Sequence, residues 1–335
     1  MFQEQGTTMP MARNPSEGAA VLGIDIGGTK IAALLLDDHD AIVARGVVPA
    51  PAQQGGVAMA DAAASLAMRL SEEAGLAIRA VGVGAAGVID HESGTVRAAS
   101  EMFVDWAGFP LGPELAARLD VPVRVENDVN AFLLGELDHG SASGTDVLGV
   151  MLGTGVGGAL VLDGQLRHGP HGAAGEIGHT PGYSDLRCTC GQVGHLETLA
   201  SGTSIGLRYA ERASEPELSA REVADRARAG DRIAAAVFAD AGRALALACV
   251  SAAGILDLDT AVVGGGVVHA WDLLQPAIDA TLATDSPVSG VAMTIERATL
   301  GADAVALGAA ASARRAFFSA QGHTTRTSVL EGEAA

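Results

Sequence analysis

Short apolar runs alternate along the chain with longer segments in which apolar residues recur at helical spacing. Helical periodicity predicts helices over residues 58–74, 111–119, 130–137, 199–212, 221–228, 233–255, 273–282 and 303–317. The short apolar runs predict strands over residues 80–84, 121–125, 260–263 and 292–296. Strands and helices in alternation are typical of an α/β fold.

Two segments of the sequence are similar to each other and form an internal repeat. Residues 21–37 read VLGIDIGGTKIAALLLD and residues 147–163 read VLGVMLGTGVGGALVLD, with eight of the seventeen positions identical. Each copy has an apolar strand, a glycine turn and a second apolar strand, which predicts a β-hairpin. The repeat therefore predicts two similar halves, and a chain of 335 residues is long enough for two lobes.

The composition disfavours several classes of protein. The longest nearly apolar run, residues 244–256, is shorter than the roughly 18 residues of a membrane span, and no secretory signal is evident. Three cysteines, two of them in one local cluster, argue against a disulfide framework and favour the cytoplasm. A formal net charge of −19 disfavours nucleic acid as a partner. Residues 1–20 and 319–335 are predicted to be disordered tails.

Three glycine-rich turns follow apolar strands. The first, DIGGTK, offers backbone N–H groups and a hydroxyl to a phosphate, although one such turn alone is as easily a plain hairpin turn. Three together are what a protein needs to clamp a nucleotide between two lobes. The second repeat has Met151 in place of Asp25, and a single carboxylate suits one Mg²⁺ held near the phosphates through water. The predicted nucleotide-binding residues are Asp25, Gly27, Gly28, Thr29, Lys30, Gly153, Thr154, Gly155, Gly264, Gly265 and Gly266.

The segment VENDVN puts Glu126, Asn127 and Asp128 between a predicted strand and a predicted helix. Loops at such boundaries meet in the clefts of α/β proteins, where a carboxylate can accept a hydroxyl proton. The alternative is that Asn127 or Asp128 only caps the helix predicted to start near residue 130. Glu126 is expected to be structural.

Four metal-binding side chains occur within seventeen residues of this cysteine-poor chain. His179, Cys188, Cys190 and His195 supply nitrogen and sulfur donors, a set that suits tetrahedral Zn²⁺ in a structural site. The cysteines are too close in sequence for an easy disulfide, and a redox pair more usually has two residues between its cysteines. The alternative is two free thiols with incidental histidines.

These motifs, in this order, resemble the ROK family of ATP-dependent sugar kinases and related repressors, from about residue 21 to about residue 317. The resemblance implies a two-lobed actin-like ATPase fold with ATP between the lobes and sugar in the cleft. It implies a smaller lobe of residues 21–130 plus 303–318 and a larger lobe of residues 131–302 that carries the zinc loop. The final helix is expected to pack back on the first lobe.

The resemblance also implies the roles of individual residues. It makes Asp128 the catalytic base and gives the sugar contacts to Asn127, Glu176, His179 and Glu197. His179 can bind zinc with one ring nitrogen and present the other to the sugar. The chain departs from the family pattern in having His195 where a cysteine is usual and Ala86 where a proline is usual.

The first functional hypothesis is an ATP-dependent kinase that phosphorylates the 6-hydroxyl of a hexose, with glucose ahead of N-acetylglucosamine, mannose and fructose. A second is a sugar-responsive repressor, which is disfavoured because only twenty residues precede the first predicted strand and the charge is negative. A third is an actin-like nucleotide-binding module without a small substrate. This hypothesis would assign no function to the VENDVN segment. The resemblance further implies a homodimer or homotetramer.

Overall fold

The computed structural model describes residues 19–100 and 102–318, and within them the chain forms twelve strands and nine α-helices. The strands are β1 (Ala19–Ile26), β2 (Lys30–Leu36), β3 (Ile42–Pro49), β4 (Ala77–Ala85), β5 (Val88–Asp90), β6 (Thr95–Ala98), β7 (Val123–Asn127), β8 (Val147–Leu152), β9 (Val156–Leu162), β10 (Gln165–Leu166), β11 (Thr260–Gly264) and β12 (Thr294–Arg297). The helices are α1 (Gly56–Ala74), α2 (Leu111–Leu119), α3 (Asp128–His139), α4 (Glu197–Ala200), α5 (Gly202–Ala213), α6 (Ala220–Arg228), α7 (Arg232–Leu256), α8 (Trp271–Thr284) and α9 (Ala304–Phe318).

Two five-stranded sheets form the framework, with strand orders β3-β2-β1-β4-β7 and β10-β9-β8-β11-β12. Each repeat is an antiparallel hairpin, β1 with β2 and β8 with β9, and the first strand of each hairpin then pairs in parallel with a later strand. Strands β5 and β6 form a separate small hairpin. The α/β class and the duplicated hairpins predicted from the sequence are thus confirmed, whereas the exact bounds of the two lobes stay a prediction.

Several predicted boundaries need correction. Strand β1 begins at Ala19, so residues 19 and 20 are not part of a tail, and the rest of both predicted tails lies outside the described residues. The helix predicted over residues 199–212 is two helices, because the Ser201 hydroxyl caps α5 by accepting a hydrogen bond from Ser204 N at 3.0 Å. The third glycine turn leads into a 3-10 turn, Gly266–Ala270, before α8 starts.

Helix α7 is the one helix in the described part of the chain that is long and apolar enough to cross a membrane. It packs against α8, α4, α5 and α6, and its buried residues belong to the largest apolar cluster. Its apolar character is therefore explained by its place in the core of the second half.

The last helix, α9, packs against β1 and β4 of the first sheet and against α3, as the resemblance implies. At the crossing of α9 and α3, Gly308 lies against the Ala131 carbonyl, and Gly135 lies against the Ala304 carbonyl. A Cβ at either glycine would overlap these backbone atoms. The two helices are therefore in direct backbone contact, and α9 fixes the position of the helix that begins with Asp128.

We expect Gly308→Ala to destabilise the protein by about 3 kcal/mol, because backbone cannot move aside as a flexible side chain can. Gly254→Ala is the matched control, since Gly254 lies in helix α7 with nothing within 4 Å of its added Cβ. This control should be neutral or stabilising by up to about 1 kcal/mol. Thermal and urea unfolding of both variants measures the difference, and equal stabilities would contradict direct backbone contact between α3 and α9.

Candidate active site

Three neighbouring strands of the first sheet, β1, β4 and β7, bring Asp25, Glu126 and Asp128 together at the carboxyl ends of the strands. Asp25 on β1 is in register with Gly84 on β4, which is in register with Glu126 on β7. Asp128 follows Glu126 by two residues and starts helix α3. A Cβ at Gly84 would meet Val305 of α9 and Ala131 of α3, so the glycine lets both helices pack closely on this end of β4. Asp25 and Asp128 lie close enough to perturb each other electrostatically.

Asp128 has one engaged and one free carboxylate oxygen. Its Oδ1 accepts hydrogen bonds from Asn127 Nδ2 and from the backbone N–H of Val129, both at 3.0 Å. Within the described residues Oδ2 accepts none. The pKa of Asp128 is raised to about 7, mainly by burial and to a smaller extent by the charge of Asp25, while the hydrogen bond from the Val129 N–H opposes the shift. A half-buried carboxylate with a free oxygen and a pKa near neutrality can accept a proton from a hydroxyl.

Asn127 caps helix α3, which is the alternative weighed for this segment. Its Oδ1 accepts from Val129 N at 2.9 Å and from Asn130 N at 3.2 Å. Its Nδ2 donates to Gly87 O at 2.9 Å as well as to Asp128. The cap explains why α3 starts at Asp128, two residues earlier than predicted. Capping and a catalytic role for Asp128 are thus compatible, because the capping side chain also orients the carboxylate. Direct contact of Asn127 with a sugar stays a prediction.

The first glycine turn combines a half-buried carboxylate with an exposed hydroxyl and ammonium group. Burial raises the pKa of Asp25 to about 6, although the charge of Lys30 opposes the shift. Lys30 and Thr29 are exposed, whereas the Gly27 N–H is already bonded to the Lys30 carbonyl at 3.1 Å. Gly28 leaves no space for a side chain because the Met102 thioether lies against it.

The second and third glycine turns lie at the same end of the second sheet, where Gly264 pairs with Met151. The second turn closes with a bond from Gly153 N to Gly155 O at 2.9 Å, and Thr154 at its tip is exposed. In the third turn Gly264 is buried against the Phe132 ring. Gly265 has a φ of 89° and lies against the backbone of Leu152, and Gly266 is exposed.

A cavity of about 500 Å³ adjoins the third turn, and sequence analysis did not predict it. It lies between helix α6 and the 3-10 turn, with Phe238 of α7 in its wall. Arg221 and Arg228 provide cationic groups at its lining. Only the tertiary packing of these elements creates this space, so no local sequence signal was available for it.

Glu176 and Glu197 flank the cysteine cluster, as expected from their positions in the sequence. Burial raises the pKa of Glu176, the charge of His179 lowers it, and the charge of Glu197 raises it, so these groups lie close together. Glu197 Oε2 accepts from Val156 N at 2.9 Å, and its Oε1 accepts from Thr189 Oγ1 at 2.8 Å. Glu197 therefore ties the cysteine loop to the second glycine turn, and its predicted contact with a sugar stays untested.

The four predicted metal ligands meet in space, with all their donor atoms within 4.8 Å of one another. His179 Nδ1 lies 3.4 Å from His195 Nδ1 and 3.7 Å from Cys188 Sγ, and Cys190 Sγ lies 3.3 Å from His195 Nδ1. Tetrahedral zinc, with bonds of about 2.05 Å to nitrogen and about 2.3 Å to sulfur, puts neighbouring donors about 3.3 to 3.8 Å apart. The donor set and its spacing therefore fit Zn²⁺.

The histidine orientations agree with this fit. Both His179 and His195 turn Nδ1 toward the other donors, and His179 Nε2 has no hydrogen-bond partner among the described residues. His195 Nε2 lies 3.2 Å from Gln192 Oε1, so the amide can hold the ring with Nδ1 toward the other donors. Gln192 was not predicted, since a glutamine beside a cysteine motif carries no signal by itself.

Trp106 is a core residue, buried between the rings of Phe103 and Phe109. Its Nε1 donates to the Ala86 carbonyl at 3.0 Å. The indole thus supports the loop in which the chain has alanine in place of the family's usual proline.

Comparison with known proteins agrees with the fold. The two related sheets with their glycine turns define the two-lobed actin-like ATPase class, as predicted. The model of the ROK family matches residues 21–316, and the chain belongs to that family.

Several relatives cover most of the chain. A glucokinase from Halalkalibacterium halodurans is 34% identical over 307 residues, which cover 86% of this chain and 92% of that protein. An N-acetyl-D-glucosamine kinase from Salmonella paratyphi B is 35% identical over 257 residues, which cover 73% of this chain and 83% of that protein. The crystal structure of a ROK family glucokinase from Streptomyces griseus in complex with glucose and AMPPNP matches with a TM-score of 0.76 and 31% identity, covering 88% of this chain and 99% of that chain.

We expect Asp25→Asn to lower the pKa of Asp128, because the substitution removes a negative charge that disfavours ionisation of its neighbour. Carboxyl ¹³C NMR of the nucleotide-free protein measures the titration midpoint. Asp38→Asn is the control, since Asp38 is exposed and should leave the midpoint unchanged. A midpoint that stays the same or rises in Asp25→Asn would show that the two carboxylates are not coupled.

Proposed function

We propose that this protein is an ATP-dependent hexose kinase that transfers the γ-phosphate to the 6-hydroxyl of its substrate, with glucose as the first candidate. The observation that carries the proposal is the free Oδ2 of Asp128, whose pKa is near 7. Phosphoryl transfer needs a base for the hydroxyl proton, held in line with bound phosphates. The glucokinase relatives support this reaction and this sugar.

The sugar lies, in this proposal, between Asp128 and the loop that bears Glu176 and His179. Glu176 accepts hydrogen bonds from ring hydroxyls, and His179 presents Nε2 because its Nδ1 faces the cysteine cluster. Asn127 and Glu197 complete the set, although the protein contacts already made by both side chains suggest that they also hold the walls of the pocket.

ATP lies across the three glycine turns. The exposed Thr29 and Lys30 contact its phosphates, and the cavity beside Gly266 takes the adenosine end. The half-buried carboxylate of Asp25, whose raised pKa shows that its charge is poorly compensated, is suited to a cation, and it would hold a Mg²⁺ ion through water. Magnesium supplies charge neutralisation at the phosphates when bound.

N-acetylglucosamine is the second candidate substrate, since a relative of comparable identity is named as an N-acetyl-D-glucosamine kinase. Mannose and fructose remain further alternatives. These sugars differ at ring positions away from the 6-hydroxyl, so the same base serves all of them, and the pocket wall decides between them.

The decisive experiment measures ADP release over a panel of hexoses at one low concentration, so that kcat/KM sets the ranking. We expect sugar-dependent release with glucose highest. Asp128→Asn should keep hexose affinity within a few fold and lose turnover by at least about 100-fold, because it removes the base and keeps the pocket. Asp38→Asn, at an exposed position, is the matched control. No hexose-dependent ADP release by folded wild-type protein contradicts the proposal, as does full turnover by Asp128→Asn.

We further propose that His179, Cys188, Cys190 and His195 hold a structural zinc ion, for which their donor spacing is the support. Bound zinc would fix the loop between Glu176 and Glu197 and keep His179 in one tautomer. A cytoplasmic location and a homodimeric or homotetrameric state complete the proposal.

Elemental analysis of the purified protein should find about one zinc per chain, because four protein ligands complete the tetrahedral coordination of a structural zinc ion. His195→Cys should retain the metal, since it keeps four donors, whereas His195→Ala should lose metal and thermal stability. Gln192→Ala is a milder test, because the amide only orients the imidazole. Zinc-free wild-type protein of unchanged stability would contradict this site.

A further inference from the structure

A buried carboxylate lies directly beside the catalytic segment and is used neither in phosphate nor in sugar binding. Glu126 is 2% exposed and is the next-to-last residue of strand β7, directly before Asn127. Its Oε1 accepts from Arg124 Nε and from Ser312 Oγ of α9, both at 3.0 Å. Its Oε2 lies 2.7 Å from His168 Nε2. Sequence analysis assigned Glu126 only a structural role and did not select His168.

The direction of the Glu126–His168 hydrogen bond follows from the charges around it. Burial by itself would raise the pKa of Glu126, but the hydrogen bond and charge of His168, together with Arg124, hold this pKa below its usual range. Glu126 is therefore a carboxylate acceptor, and His168 Nε2 carries the proton and donates. A charge-assisted bond of this length, with its carboxylate buried and its imidazole mostly buried, is among the stronger hydrogen bonds in proteins.

The His168 ring is also held on its face. The ring of His91, from the turn between β5 and β6, stacks on it at 3.8 Å between centroids with an angle of 4° between the planes. Burial lowers the pKa of His91, and the charges of His168 and Arg124 lower it further, which favours a neutral stacking partner. His168 is thus fixed by contacts with two elements of the first half of the chain.

His168 itself belongs to the second half and begins the segment that leads to the sugar-facing residues. It follows β10, and its carbonyl accepts from Ala174 N at 3.1 Å, which folds the segment back on itself. Gly172 lies against the Ile89 carbonyl of β5, and Gly175 lies against Gly158 of β9. Glu176 follows at once. The segment from residue 168 to residue 176 therefore packs between β5 and β9. Its first residue, His168, is hydrogen-bonded to Glu126 of β7, the strand that precedes Asp128.

We propose that His168 and Glu126 form a positioning pair that sets the separation between Asp128 and the sugar-facing Glu176 and His179. This inference rests on the proposed function. Glu126 stands two residues before Asp128, and His168 stands eight residues before Glu176, so one partly buried hydrogen bond joins the two sides of the cleft. Neither residue is expected to touch the sugar, and both act through the groups that do.

The pair should affect the hexose and not the nucleotide. The glycine turns that are proposed to hold ATP have no contact with His168 among the hydrogen bonds of the described residues. A misplaced sugar-facing loop should therefore weaken hexose binding and slow transfer while leaving the KM for ATP unchanged. In reactions that depend on alignment of the reacting groups, displacements of this kind lower the rate by about tenfold or more.

The test compares His168→Phe, which keeps a ring for stacking on His91 but has no donor, with His168→Gln, whose amide can donate in place of Nε2. His39→Phe, at an exposed position, is the matched control. Calorimetric titration with glucose gives the hexose Kd without any need for turnover, and steady-state rates give kcat and both KM values.

We expect His168→Phe to raise the hexose Kd and KM about tenfold with an unchanged KM for ATP, and His168→Gln to recover most of the loss. Glu126→Gln keeps the side-chain volume, and it replaces His168→Phe as the test variant if His168→Phe does not fold. It should weaken hexose binding in the same direction.

The inference is overturned by a wild-type hexose Kd in the folded His168→Phe variant, or in Glu126→Gln if that variant must replace it. It is also overturned if His168→Gln is impaired as severely as His168→Phe with both KM values raised, since general destabilisation would then explain the loss. Wild-type protein that binds none of the hexoses would instead refute the proposed function, and the inference with it.

Discussion

Helix α3 carries Asp128 at its first position, and its backbone touches that of α9 where Gly135 and Gly308 leave no side chain between them. The placement of the proposed base therefore depends on contact between two helices far apart in sequence. The Asn127 cap fixes the first turn of α3, and the α9 contact fixes the rest. A single carboxylate oxygen is left free at the point where the strands of the first sheet end. The chemistry that we propose follows from this constraint on the backbone.

The electrostatics of the cleft follow from how closely acidic groups gather there. Burial raises the pKa of Asp25, Asp128 and Glu176, and the charge of Asp25 adds to the effect on Asp128. Crowded carboxylates of this kind are stabilised by cations or by hydroxyl donors. In the function that we propose, a nucleotide with its magnesium and a carbohydrate would supply both. Without them, burial and the neighbouring charges raise the pKa of these carboxyl groups.

The sequence predicted those features that depend on local pattern or on chemical identity. The duplicated hairpins follow from strand, turn and strand spacing, and the cluster of two histidines and two cysteines follows from residue types that rarely gather by chance. The break between α4 and α5 was not predicted, because the Ser201 cap competes with a continuous helical pattern. The cavity beside the third turn and the bond from Val156 N to Glu197 depend on tertiary packing. The Glu126–His168 bond joins residues 42 positions apart and also had no local signal.

The most direct test of the central claim is a crystal structure of the protein with a bound hexose and a non-hydrolysable ATP analogue. The measured quantity is the distance from the 6-hydroxyl oxygen of the sugar to Asp128 Oδ2. We predict a hydrogen bond of about 2.6 to 3.2 Å, with the terminal phosphate on the opposite side of that oxygen. A hexose whose 6-hydroxyl is turned away from Asp128, or which lies outside the cleft between Asp128 and Glu176, would contradict the account.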